Sequence, residues 1–231
     1  MANSNQKQAA PTMEQTLNKQ EAFFIKNKKA IIIGAIAVLL VVLGTIAYKN
    51  LYSAPREDKA STALAKAQEL FASQQFDKAL NGDKGIEGFL QVSKNYGGTD
   101  AANLADLYAG LCYANLGKWQ EAVKYLDDFS TRDDAMISPN SQAALGNAYA
   151  HVNQIDKAVS ALKKAADMAN SASEEGVNNS IAPSCLIQAA RLLESQKKND
   201  EALSIYKGVK EKYVNSPVSQ DIDKYIERLS K

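Results

Sequence analysis

A short pattern appears twice in this chain at an offset of 36 residues, and self-similarity at such a period restricts the fold to a stack of small supersecondary units. The two copies are AGLCYANLGKWQEAVKYL from Ala109 and LGNAYAHVNQIDKAVSAL from Leu145. In each, a glycine (Gly110, Gly146) stands three residues before a tyrosine (Tyr113, Tyr149). An alanine follows nine residues after the tyrosine (Ala122, Ala158), and a leucine four further on (Leu126, Leu162). The small residues let two antiparallel helices approach closely, while Tyr and Leu fill the space between that pair and the next. A helix pair of this size cannot bury its apolar face alone, so neighbours must stack. Gly117 and Asn153 fall between the two helices of a pair, where a residue able to take positive φ is useful.

Two further copies are more diverged. Ala190, Leu193, Ala202 and Tyr206 take the same relative places in AARLLESQKKNDEALSIY, and Ala67, Leu70 and Ala79 do so in AQELFASQQFDKAL. The second helix of that earliest copy is interrupted at Asn81-Gly82-Asp83-Lys84-Gly85 and is expected to resume from Ile86 to Tyr96. Ser138-Pro139 and Ser216-Pro217 each offer an N-cap and a first-turn proline, the latter for a final helix to about Leu229 that caps the last repeat. Residues 172–181 break the pattern and are expected to form an exposed inserted loop. Across residues 60–231 the series resembles the tetratricopeptide repeat family, whose period is about 34 residues. The resemblance implies an all-α fold, a right-handed α-solenoid of tetratricopeptide-like helix pairs with a C-terminal capping helix.

Ahead of the repeats, Ala30–Ala47 (AIIIGAIAVLLVVLGTIA) carries neither a charge nor a polar face. At about 1.5 Å per residue it reaches about 27 Å, close to the hydrocarbon thickness of a bilayer. Lys26, Lys28 and Lys29, with Phe23 and Phe24, flank one end, and Tyr48, Lys49 and Tyr52 the other, as an inserted helix requires at its two interfaces. Thr45-Ile46-Ala47 has the small-x-small look of a cleavage site, so a secreted, cleaved form is the competing reading. The long polar lead and the long apolar run favour an uncleaved single transmembrane helix. Lys19, Lys26, Lys28 and Lys29 before the span outnumber Lys49, Arg56 and Lys59 after it, a small bias towards an N-terminus inside and a repeat domain on the trans side. Three segments follow: a polar, mostly disordered basic tail over 1–29, with a short helix allowed from Met13 to Asn27; the anchor and its flank over 30–52; and the repeat domain over 53–231.

Charge and chemistry narrow the function. The net charge of +1 divides into +4 up to Tyr52 (six Lys, two acids) and −3 beyond it (21 basic, 24 acidic residues). A mildly acidic domain is a poor polyanion binder, so nucleic acid is not an expected partner. Cys112 and Cys185 are far apart, and the chain has a single histidine, His151, so no zinc site, multi-His centre or His-based triad can be drawn. Neither a Gly-rich phosphate loop nor an HExxH or GxSxG motif is present. Asp127-Asp128 and Asp133-Asp134 sit at helix ends and read as solvated surface. No catalytic residue, cofactor or metal is expected.

What remains is surface. On the first helices, the side opposite the packing residues presents Leu104, Leu107, Tyr108 and Leu111, then Asn140, Asn147 and His151, then Gln188 and Arg191. This predicts a groove grading from apolar to polar, suited to a polypeptide partner, with part of its apolar end covered by the helix expected from Ile86. Arg191 alone does not make the basic clamp with which some tetratricopeptide domains hold a terminal carboxylate.

The order of parts carries a narrower resemblance. GFLQVSKNYGGTDAANLADLYAGLCYANLGKWQEAVKYL, from Gly88, with its Gly98-Thr99 junction, resembles the YfgM-type family of bacterial inner-membrane proteins. That resemblance implies a periplasm-facing domain associated with the SecYEG translocon and the membrane-anchored chaperone PpiD. YVNSPVSQD, from Tyr213, resembles repeat proteins of outer-membrane assembly and Tol-Pal systems. A scaffold of another envelope assembly, or an organelle import receptor facing the cytosol, is the alternative the layout leaves open.

Overall fold

Residues 13–230 are described by the computed structural model, 13–20 in backbone only; the tail expected to be disordered ahead of Met13 lies outside them. The chain divides into two compact units, the first ending at Pro55 and the second running from Arg56 to Lys231.

The first unit is dominated by α1 (Met13–Tyr48), followed by a π-helical turn over Lys49–Ser53. The helix begins at Met13, as the sequence allows, and runs unbroken into the apolar stretch. Residues 13–29 contain neither Gly nor Pro, and the apolar helix downstream supplies a nucleus onto which they propagate. The apolar stretch is long enough to cross a membrane, and none of its central window is buried within the chain. Its one hydroxyl, Thr45, donates to the carbonyl of Val42 at 2.8 Å, so no side-chain donor is left open along the stretch. Tyr48 and Tyr52 lie ring to ring at 5.3 Å just beyond it.

The second unit is a series of helix pairs. α2 (Ala54–Ala72) pairs with α3 (Phe76–Asn81), which is followed by α4 (Phe89–Asn95). Then come α5 (Asp100–Asn115) with α6 (Trp119–Asp128), α7 (Ile137–His151) with α8 (Ile155–Ser171), and α9 (Ile181–Ser195) with α10 (Asn199–Lys212). A 3₁₀ turn (Pro217–Gln220) and α11 (Ile222–Leu229) close the series.

One turn geometry joins every pair. Gln74, Gly117, Asn153 and Lys197 all adopt left-handed φ, between 58° and 75°. Their N–H groups donate to the carbonyls of Phe71, Ala114, Ala150 and Glu194 at 2.8–3.0 Å. The next residue in each turn donates to Leu70, Tyr113, Tyr149 or Leu193, five positions back, at 2.9–3.0 Å. This double closure is the Schellman motif, which satisfies the last carbonyls of the first helix. The residue after the left-handed one then accepts the N–H of Ala79, Ala122, Ala158 or Ala202, starting the second helix. These four alanines are fully buried.

The two glycines of the pattern are fixed by contact. A Cβ on Gly110 would lie 2.6 Å from Leu126 Cγ, and one on Gly146 2.8 Å from Leu162 Cγ. Each leucine fills the space its glycine leaves. Thr99 and Glu57 together cap α5: Thr99 Oγ1 accepts from Ala102 N at 3.0 Å, while the Glu57 carboxylate accepts from Asp100 N and Ala101 N at 2.8 and 2.9 Å.

Several local expectations are corrected. The interrupted helix resumes at Phe89 and not at Ile86, because Ile86 is held in an antiparallel bridge with Asp83 and Gly88 forms the cap. A Cβ on Gly88 would meet Gly82 N at 2.3 Å, so the turn depends on that glycine. α7 is capped by Asp134, whose Oδ1 accepts from the N–H groups of Met136, Ile137 and Ser138 at 2.5–3.1 Å. Ser138, expected to be the cap, is instead buried and donates its hydroxyl to Asp134 Oδ2 at 2.5 Å. Residues 172–181 are pinned, not merely exposed: Asn170 Oδ1 accepts from Asn178 N at 2.9 Å, Asn170 Nδ2 donates to Tyr213 Oη at 2.8 Å, and Val177 packs on the core. Ser216 caps the 3₁₀ turn, and α11 starts after it.

Candidate partner groove

The first helices of successive pairs, α5, α7 and α9, line two adjoining concavities. One, of about 320 Å³, has Leu104, Leu107, Tyr108 and Leu111 of α5 on one side and Met136, Ile137 and Asn140 on the other. The other, of about 760 Å³, lies between α7 and α9 and is lined by Met136, Asn140, Asn147, Ser184 and Gln188, with Cys185 at its floor. Met136 and Asn140 border both, so the two form one path across α7.

Seven of the nine sequence-predicted residues therefore line this path. Leu107 contributes floor and not surface, being 7% exposed, and Leu104, Tyr108 and Leu111 are half-buried. Part of the apolar end is covered, as expected, but by α2 and α4 together: the Tyr108 ring stacks on Phe89 at 5.1 Å and meets Phe71 edge-on at 5.2 Å. Asn147 is exposed and Gln188 half-buried.

His151 and Arg191 line neither concavity. His151, at the end of α7, lies flat against Trp119, with 3.6 Å between ring centroids and 3° between planes. Such a stack occupies one face of the imidazole and turns the ring towards α6. Arg191 is drawn to the cap helix: its Nη2 donates to Tyr225 Oη at 2.5 Å and its guanidinium lies 5.2 Å from the Tyr225 ring. The same ring stacks on Tyr206 at 5.1 Å, and Glu194 accepts from Tyr206 Oη and from Arg228 at 2.5–2.7 Å. These contacts hold α11 over the last pair.

Sequence reasoning missed Met136 and Ile137. They are 68% and 48% exposed and stand at the centre of the apolar concavity. The available signal was two large apolar residues inside the polar run TRDDAMISPN.

Burial and capping shift the ionisable groups of the repeat domain. Burial pushes the Cys185 thiol up to about 11 and that of Cys112 to about 12, so both stay protonated at neutral pH. Burial raises the Asp106 carboxyl despite a hydrogen bond from Ser93, with the nearby Asp128 adding to the effect. Asp134 is lowered: partial burial works against this, but the hydrogen bonds from Ser138 and the start of α7 prevail.

The sequence pattern of the family described as Tetratricopeptide repeat-like domain matches residues 21–178, and that of Tetratricopeptide repeat matches residues 184–216. The chain belongs to the tetratricopeptide repeat-like family. The first match starts within α1, so it takes in the apolar stretch together with the helix pairs up to α8. Two solved structures of Podosopora anserina, described as nearly identical TPR-like repeats of a kinesin light chain, share the fold. One aligns at a TM-score of 0.57 with 15% identity, over 75% of this chain and 86% of that one; a single-substitution form aligns at 0.56 and 15%, over 75% and 85%. No curated protein matches the sequence. Tetratricopeptide repeats are protein–protein interaction scaffolds, and the fold is not a catalytic one. The path across α5, α7 and α9 runs over the first helices of three successive pairs.

Proposed function

We propose that this protein is a membrane-anchored adaptor that holds other polypeptides in the groove of its repeat domain, and that it serves the Sec translocon from the periplasmic side of a bacterial inner membrane. The observation that carries the reading is the apolar stretch of α1, uncovered along its length, in a chain whose second unit offers an open groove. An apolar helix of that length left bare in water is costly; in lipid the cost disappears. The lysines before the span favour an N-terminus in the cytoplasm and a domain in the periplasm. The resemblance of the stretch from Gly88 to the YfgM-type family supports SecYEG and a PpiD-like chaperone as the partners. The groove residues, above all Leu104, Leu111, Ile137, Asn147 and Gln188, carry the contact.

Affinity purification of the full chain in mild detergent tests the partners: translocon and chaperone subunits are expected to copurify, and their absence overturns the assignment. Protease treatment of intact cells and spheroplasts tests the orientation. The domain is expected to be digested only once the outer barrier is opened; resistance in spheroplasts that ends only on lysis would place it on the cytosolic side.

A further inference from the structure

Resting on the groove assignment above, we infer that the groove takes an extended, uncharged polypeptide segment with one large apolar side chain, and not a helix or a charged chain terminus. Three observations point to it. First, among the described residues no charged side chain lines either concavity; Arg191, the one cation expected there, is engaged by Tyr225. An ionised partner group would lose water and gain no counter-charge. Second, the 320 Å³ concavity is walled by Leu104, Leu111, Tyr108 and Ile137, with room for a whole side chain of leucine or phenylalanine size. Third, the path leaving it is marked by carboxamides. Asn147 and Gln188 have no hydrogen-bond partner among the described residues, while Asn140 spends only its amide N–H, on Met136 O at 2.8 Å.

A free carboxamide offers one acceptor and two donors, which match the C=O and N–H of a peptide unit. A helix keeps those backbone groups for itself, and only an extended segment presents them. Asn140 and Asn147 stand two turns apart on α7, about 10.5 Å, the span of about three residues of extended chain. Amide contacts of this kind are indifferent to side-chain identity. The groove would thus accept many sequences that present one apolar residue in a neutral stretch, as newly exported or unfolded chains do.

The test uses the full chain in detergent micelles and a fluorescent neutral ten-residue peptide carrying a single leucine. Five altered peptides accompany it: leucine changed to alanine, two aspartates added, two lysines added, N-methylation of the residues following the leucine, and a helix-stapled form. Leucine to alanine is expected to weaken binding about thirtyfold. N-methylation is expected to cost about threefold to tenfold on the wild type and much less on Asn147→Ala/Gln188→Ala, which has already lost the amide contacts. Both charged peptides are expected to bind more weakly than the neutral one. Ile137→Asp, at a half-exposed position that does not hold the core, marks the groove itself. If a charged or a helix-stapled peptide binds more tightly than the neutral one, and Ile137→Asp abolishes that binding, the groove assignment stands and this inference falls. If no peptide's binding responds to Ile137→Asp, the groove assignment falls with it.

Discussion

The left-handed turns make a quantitative prediction. Gln74 and Lys197 hold φ of 58° and 61°, a conformation that costs an L-residue about 1–2 kcal/mol. Glycine removes that strain but gives the unfolded chain more freedom, worth about 0.5–1 kcal/mol against folding. The difference leaves each of Gln74→Gly and Lys197→Gly stabilising by about 0.5–1 kcal/mol. The turns are far apart in the stack and share no partner, so the double variant is expected to gain about 1–2 kcal/mol. Asn153→Gly should be nearly neutral, because asparagine tolerates the left-handed region. Gly117→Ala runs the other way and should cost about 1 kcal/mol. Urea unfolding of the full chain in micelles, followed by far-UV circular dichroism, reads all five. If Lys197→Gly destabilises while Gly117→Ala stabilises, the turns are not left-handed and the shared Schellman closure is wrong.

Other consequences follow from single contacts. Gly146→Val should cost about 1–3 kcal/mol, measurable in the same titration, since its Cβ alone would press Leu162 Cγ at 2.8 Å and Ala158 O at 3.2 Å. Glu57→Ala leaves two N–H groups at the start of α5 without their acceptor and should lose about 1–2 kcal/mol; Glu57→Gln, which retains one acceptor oxygen, should recover part of it. Asp134 is depressed in the folded state, so its stabilisation is present above the unfolded carboxyl pKa and lost as pH falls through the folded one. Asp134→Ala should therefore destabilise at pH 7 and have a smaller effect near pH 3, as compared by thermal unfolding at both values.

The repeat was legible because its chemistry recurs. Glycine facing leucine and alanine opposite tyrosine can be matched without knowing where either helix points. The turn at Lys197 was not legible, since a lysine carries no local preference for left-handed φ; stacking of the pairs imposes that conformation and the residue bears the strain. The start of α7 was misread at Ser138-Pro139 because a serine before a proline imitates a cap, while the real cap is Asp134, with Ser138 buried beneath it as its donor. The groove was legible as far as helix faces go, which accounts for Leu104 to Leu111, Asn140, Asn147 and Gln188. His151 and Arg191 lie on the predicted helices, but each is claimed by an aromatic ring distant in sequence, Trp119 or Tyr225. Met136 and Ile137 escaped notice because they precede the periodic part of α7.

Site-specific photo-crosslinking in living cells tests the adaptor reading most directly. A photoreactive residue is placed at Leu111 or Asn147 in the groove, and at the exposed Lys207 on α10 as a control. Crosslinks to other polypeptides are predicted from both groove positions, recovered in the membrane fraction and absent after Ile137→Asp, with little from Lys207. Groove positions that yield no more crosslinked polypeptide than Lys207, or crosslinks found only with soluble material, would contradict a membrane-bound scaffold that works through its concave face.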